Sequence, residues 1–380
     1  MTNSVAGRPG EIVTIKGRSI PFSFHPVTRS TRRYGLQSRI FSTNPWGIIR
    51  QSIEDEIHDA KHKIQALSFL EQAENFYNSA KLSTIVAAKP LLFYYCFLNI
   101  AKSFCIKAGV RASYEKAKHG LQEEVHPGGK EFDDSFVKAF KAKPNVANIF
   151  DDLRKALRRP SLPGGGRVYD LKYLAPQLLQ GHRVWCDAAD QRERFVEIYD
   201  ISFMKNDSKK IRLNISFVSE DLTRFGITHK QLLDQAGLKG KFRRIHCTEV
   251  CRGSRIIRFE QIIPMAFTGR SADKIRDIVE YIKPYIWSTA TIIHPYRKHY
   301  VYLCPASEVA SMAPQILSVY AYFYYLGSLT RYKPYHFDQL LSGRFGGHIQ
   351  EVISNIPQQF LYLIASEFSD REIAHAPIVL

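Results

Sequence analysis

The stretch from Ala313 to Arg344, APQILSVYAYFYYLGSLTRYKPYHFDQLLSGR, constrains this chain more than any other. Ile316, Val319, Tyr320, Phe323 and Gly327 recur at i, i+3, i+4 spacing, the stripe of a buried helix. The pattern then meets Arg331-Tyr332-Lys333-Pro334-Tyr335-His336. Proline has no N–H to give the preceding turn and suits the first position of a new helix. One helix therefore ends near Arg331 and the next begins near His336, so that a cation and an imidazole sit at the mouth of a helical core.

A second stretch, Lys89 to Gly109, is apolar on nearly every side until Asn99 and ends on a glycine suited to a C-cap. A helix apolar all round belongs in the middle of a bundle. Asn99 and Lys102 stand out on it. The plain reading is that Asn99 satisfies a backbone group while Lys102 snorkels to water; the other is that both line a site. Before this helix, Asn44-Pro45-Trp46 opens one with a stripe of Ile48, Ile49, Ile53 and Ile57, and another spans about 60–82. After it, residues 131–159 read as helical, ending in the basic cluster Arg154, Lys155, Arg158, Arg159. Ser161 to Gly166 (SLPGGG) is a strong breaker, read as a hinge; no GK[ST] follows, so it is not a phosphate loop. Residues 169–179 read as a short helix.

From about 183 to 305 the period changes. Residues 195–204 and 211–218 alternate around Asn206-Asp207-Ser208, a hairpin signature, and 256–263 and 300–304 read as further strands. Beyond 305 the chain is helical again, with Pro357 expected to restart a helix. The expected organisation is an arm over 1–44, a helical part over 45–182, an α+β module over 183–305 and a second helical part over 306–380. The fold class is α+β, mainly α.

Lys and Arg total 53 against 36 Asp and Glu, a formal net charge of +17. That surplus favours a polyanionic partner, nucleic acid first, although a basic surface also serves solubility or an acidic protein. Of six cysteines, only Cys247 and Cys251 are close, in CTEVC beside His246; with no second pair, neither a metal site nor another cofactor is expected. The N-terminus has no apolar secretion segment. The longest apolar run, Leu91 to Ile100, falls well short of the roughly 20 residues that span a bilayer. These features fit a cytoplasmic protein without a membrane partner. No G-x-S-x-G, HExxH or P-loop occurs.

The segment Ala73 to Ile106 around AKPLLFYYCFLNIAKSF, the triplet His119-Gly120-Leu121 and the stretch Gly327 to Pro334 (GSLTRYKP) resemble the YaaC-like family of bacterial proteins. More widely, the paired tyrosines and N-x-x-K of Tyr94 to Lys102 resemble the early helix of the HEPN superfamily, and Arg331-x4-His336 resembles the Arg…His motif of its ribonucleases. The resemblance implies a HEPN-like helical bundle formed by the N- and C-terminal parts, with the α+β module inserted. It also implies metal-independent RNA cleavage, with His336 moving a proton and Arg331 stabilising the phosphate. Lys102, Tyr332 and Lys333 would then help to hold RNA. A homodimer, or a subunit of a larger complex in antiphage defence or a toxin system, is implied by the same resemblance. The competing expectation is a non-catalytic nucleic-acid-binding or scaffold subunit. Its best basic and aromatic stretch is His294 to Tyr302, HPYRKHYVY, with Arg297 and Lys298.

Overall fold

The computed structural model describes residues 10–15, 18–20, 22–25, 39–127, 132–207, 209–251, 253–268, 271–286, 290–293, 298–305, 307–308 and 312–375. Arg297, Tyr296, Arg29, Arg32 and Arg33 lie outside the described residues. The chain is α+β, about 50% helix and 22% strand. It divides into two units: Asn44–Glu193 with Ala313–Ser369, and Met1–Thr43 with Arg194–Met312 and Asp370–Leu380.

The first unit is the helical one. Its elements are α1 (Pro45–Glu56), α2 (Ala60–Leu82), α3 (Lys89–Lys107), α4 (Ile149–Ala156), α5 (His182–Ala189), α6 (Gln315–Tyr332), α7 (Pro334–Ser342) and α8 (Gly346–Ser369). Asn44 caps α1 by accepting from the Gly47 N–H at 3.2 Å, and Gly109 closes α3 at φ +68. The centre is aromatic. Phe97 of α3 stacks on Phe360 of α8 at 4.0 Å, with Phe323 of α6 edge-on at 5.1 Å. α3 and α6 run antiparallel: Phe97 meets Phe323, Tyr94 meets Tyr324, and Pro90 and Leu91 meet Gly327.

Against these helices lies an antiparallel sheet of β1 (Leu121–Val125), β2 (Ser135–Ala139) and β3 (Arg167–Asp170), in that order, with Val137 opposite both Glu123 and Tyr169. Residues 131–159 are therefore not one helix: a strand and a turn precede the short α4. Likewise 169–179 begins as strand. The run Ser135–Ala139 is five residues long, too short for periodicity to separate strand from helix, and two strands distant in sequence stabilise it. Pro357 lies inside a continuous α8 rather than restarting it. Buried neighbours on both sides of it, Ile353, Ile356 and Phe360, hold the helix together across the missing N–H.

The second unit is strand-rich. Asp200–Asp207 and Lys210–Val218 form the expected hairpin, extended by Ser254–Gln261 and Phe242–Ile245. Phe195–Ile198, Lys298–Tyr302 and Ala290–Ile293 make a separate three-stranded sheet. Arg39–Ser42 pairs in parallel with Glu372–His375, where the Arg39 guanidinium meets the buried Glu372 carboxylate at 2.7 Å. Among the described residues no helix is long and apolar enough to cross a membrane.

Candidate nucleic-acid interface

Close approach of α3 and α6 builds the corner where α6 ends. A Cβ on Gly327 would lie 3.2 Å from the Tyr94 Cβ and 3.4 Å from the Pro90 carbonyl, so only glycine brings the backbones this near without displacement. Tyr94 then packs edge-on to Tyr324 at 5.4 Å. The last turn of α6 carries Arg331 alongside α3, and its Nη1 donates to the Tyr95 hydroxyl at 3.2 Å. The guanidinium also lies over the Tyr332 ring, 4.8 Å from its centroid. Arg331, Tyr332, Lys333 and Tyr335 are all exposed, with Tyr332 at 63% and Tyr335 at 76%.

The segment entering β1 completes the corner. Gly120 has φ +83, and a Cβ there would overlap the Asn148 side chain, so the turn beside His119 demands glycine. The turn lets the Leu121 N–H donate to His119 Nδ1 at 3.2 Å. That bond fixes Nε2 as the protonated nitrogen of the neutral ring. The ring lies 5.1 Å from that of Tyr324, whose hydroxyl donates to the Leu121 carbonyl at 3.0 Å. Glu123, on the same strand, approaches the Tyr324 hydroxyl at 3.4 Å and Lys333 Nζ at 3.7 Å.

Both imidazoles of the corner are held toward the neutral form. Partial burial of the His119 ring lowers its pKa, and the Arg331 cation lowers it further. Partial burial, then the Lys333 ammonium, lowers that of His336. The two rings differ in access. His119 is exposed, whereas His336 Nε2 is enclosed and meets no hydrogen-bond partner among the described residues. Burial also raises the Tyr324 and Tyr94 phenols far above their ordinary range.

Of the residues singled out in the sequence, Arg331, Tyr332, Lys333 and His336 share this corner. No hydrogen bond joins Arg331 to His336 among the described residues; the imidazole whose pKa the Arg331 charge shifts is His119. Lys102 lies seven residues beyond Tyr95 on α3, about 10 Å along the axis. There its Nζ donates to Asn99 Oδ1 at 3.3 Å and lies over Phe69 at 4.9 Å, in the α2–α3 seam, and burial lowers its pKa. Lys298 is in the strand-rich unit, where Glu197 takes its ammonium at 2.7 Å. Among the described residues no group of three or more His, Cys, Asp and Glu could hold a metal ion. The site residues that spacing alone did not nominate are His119, Glu123, Tyr95 and Tyr324.

Three separate sequence segments therefore meet here: 90–95, 119–123 and 324–333. They overlap the stretches that resemble the YaaC-like proteins, Ala73 to Ile106, His119 to Leu121 and Gly327 to Pro334, and the family model described as YaaC-like Protein matches residues 29–368. The chain belongs to the YaaC-like family. Neither the curated proteins nor the solved structures contain a match to the chain.

Proposed function

We propose that this YaaC-like protein binds RNA at the corner between α6 and α7 and cleaves it without a metal ion. The observation that carries the reading is the concentration of exposed Arg331 and Lys333 with exposed Tyr332 and Tyr335 beside two imidazoles. Guanidinium and ammonium groups suit phosphates, and flat exposed rings suit unstacked bases. In the reaction, the 2′-hydroxyl attacks the neighbouring phosphorus and the P–O5′ bond breaks, giving a 2′,3′-cyclic phosphate and a 5′-hydroxyl whose proton comes from water, the base returning its own proton to solvent. His336, neutral at pH 7 because its pKa is lowered, takes the 2′ proton. Arg331 stabilises the charge that grows on the phosphoryl oxygens, where its fork fits better than a point charge. The helical unit is then of HEPN-like type, working as a homodimer or within a larger assembly, in antiphage defence or a toxin system.

The enclosed Nε2 of His336 favours a second reading, in which the corner binds nucleic acid without cutting it. Cleavage and binding of a labelled RNA in EDTA separate the two, with wild type beside Arg331→Ala and His336→Ala and folding checked by circular dichroism. Cleavage lost in both folded variants supports the ribonuclease reading. Binding without cleavage, weakened in Arg331→Ala, selects the binding reading. Cleavage unchanged in both variants removes this corner as the site.

A further inference from the structure

The corner holds an imidazole that the reaction above leaves unused. The backbone of His119 is fixed at three consecutive carbonyls. Lys118 accepts from the Ile149 N–H at 3.0 Å, His119 from the Phe150 N–H at 3.2 Å, and Gly120 from the Phe140 N–H at 2.9 Å. The first two donors open α4 and the third directly follows β2, so segments distant in sequence hold this turn in one conformation. The ring is fixed as well, by the Leu121 N–H on Nδ1 and by the Tyr324 ring beside it. His119 is nevertheless exposed. With Nδ1 accepting, the neutral ring carries its proton on Nε2, which points away from the strand and meets no acceptor among the described residues. A solvated histidine needs neither an anchored backbone nor a fixed tautomer; a donor aimed at a ligand needs both.

The donor borders the cations of α6. Tyr324 and Arg331 are seven residues apart, two turns, and so lie on one stripe of that helix. Helical side chains lean toward the N-terminus, which turns the long Arg331 side chain back toward Tyr324. Tyr324 in turn touches the His119 ring and the Leu121 carbonyl. From the same strand, Glu123 reaches Lys333 Nζ. The influence of the Arg331 charge on the His119 ring agrees with this placement.

We propose that His119 is a further catalytic residue of this corner, its Nε2–H donating to a non-bridging oxygen of the phosphate that Arg331 holds. The inference rests on the ribonuclease reading and assigns the second phosphate donor of that site. Attack by the 2′-oxygen makes the phosphorus five-coordinate, and negative charge grows on its two non-bridging oxygens. Arg331 answers that charge from α6 and His119 from the entry to β1. No proton leaves His119. A neutral imidazole is too weak an acid to give one up, and it acts as a fixed hydrogen-bond donor while His336 remains the base. Partial burial, which lowers its pKa, keeps the ring neutral at pH 7.

Two substitutions separate the donor from the turn. In His119→Asn the side-chain oxygen can still accept the N–H two residues on, so the turn is kept, but the amide stops short of the place of Nε2. In His119→Gln an amide N–H reaches about that place. Both are compared with wild type and Arg331→Ala in EDTA under single-turnover conditions, with circular dichroism as the folding check. A 2′-O-methyl strand of the same sequence, which cannot attack its own phosphate, measures binding. His119→Asn should cleave about a hundredfold more slowly than wild type while binding the 2′-O-methyl strand nearly as well, and His119→Gln should recover part of the rate. The inference is overturned if both variants cleave as wild type does. It is also overturned if binding falls in proportion to rate, or if His119→Gln is no faster than His119→Asn, since the loss then belongs to ground-state contact or to the turn. In each of these cases, loss of cleavage in Arg331→Ala leaves the corner standing without His119. Cleavage absent from wild type, or unchanged in Arg331→Ala, overturns the ribonuclease reading and this inference together.

Discussion

His348 carries the clearest consequence of a single side chain. It is fully buried on α8, and its Nδ1–H donates to the Gly181 carbonyl at 3.0 Å. Tyr322 and Phe132 pack their rings around it at 5.7 and 6.4 Å. Burial pushes its pKa down to about 4, from 6.5. A pKa depressed by folding means that the unfolded chain binds the proton more readily. The stability from keeping this ring neutral is therefore complete above pH 6.5 and drains away as pH falls toward 4, a loss of about 3 kcal/mol. Urea unfolding between pH 7.5 and 4.5 should show this loss, and His348→Phe should flatten the curve over that window. Parallel curves for the two proteins would exclude His348 as the cause. Residue scale is also where sequence reasoning ran out. Arg331 and His336 flank a proline between two helical patterns and could be read directly. His119 lies in a short turn without periodicity, and what makes it part of a site is Tyr324, whose hydroxyl reaches Leu121 across 203 positions of chain.

At the scale of elements, helices with strong patterns were legible and short strands were not. The all-round apolar character of α3 and α6 foretold their central place, and the Asn44 and Gly109 caps follow from local chemistry alone. β2 gave no such signal, because its partners lie on either side of it in sequence and only the assembled sheet decides its conformation. The α3–α6 contact yields a prediction of its own. At Gly327, a Cβ would press on the Tyr94 Cβ and the Pro90 carbonyl, and backbone cannot yield as a side-chain tip can. Gly327→Val should cost about 1–3 kcal/mol in urea unfolding and should spread the helices enough to loosen Arg331 from Tyr95. RNA affinity should fall along with stability. A Gly327→Val protein as stable as wild type, with unchanged affinity, would show that this contact does not shape the corner.

Over the whole molecule, the charge of +17 says that polyanions will be attracted but not where they bind. Much of the positive charge is already answered. Arg212 and Arg243 share the Glu260 carboxylate, Arg258 meets Glu249, and Lys298 meets Glu197. At the corner, among the described residues, Lys333 has only a distant carboxylate at 3.7 Å, and Arg331 pairs with a phenol rather than an acid. These two cations should therefore release counterions on RNA binding more fully than Lys298 does. For single strands each phosphate contact contributes about −0.7 to the slope of log affinity against log salt. The double variant Arg331→Gln, Lys333→Gln should thus flatten the slope for an oligouridylate by about 1.4, and Lys298→Gln by much less. Equal flattening in both would mean that RNA responds to the overall field of the protein, and the corner would lose its claim to be the binding surface.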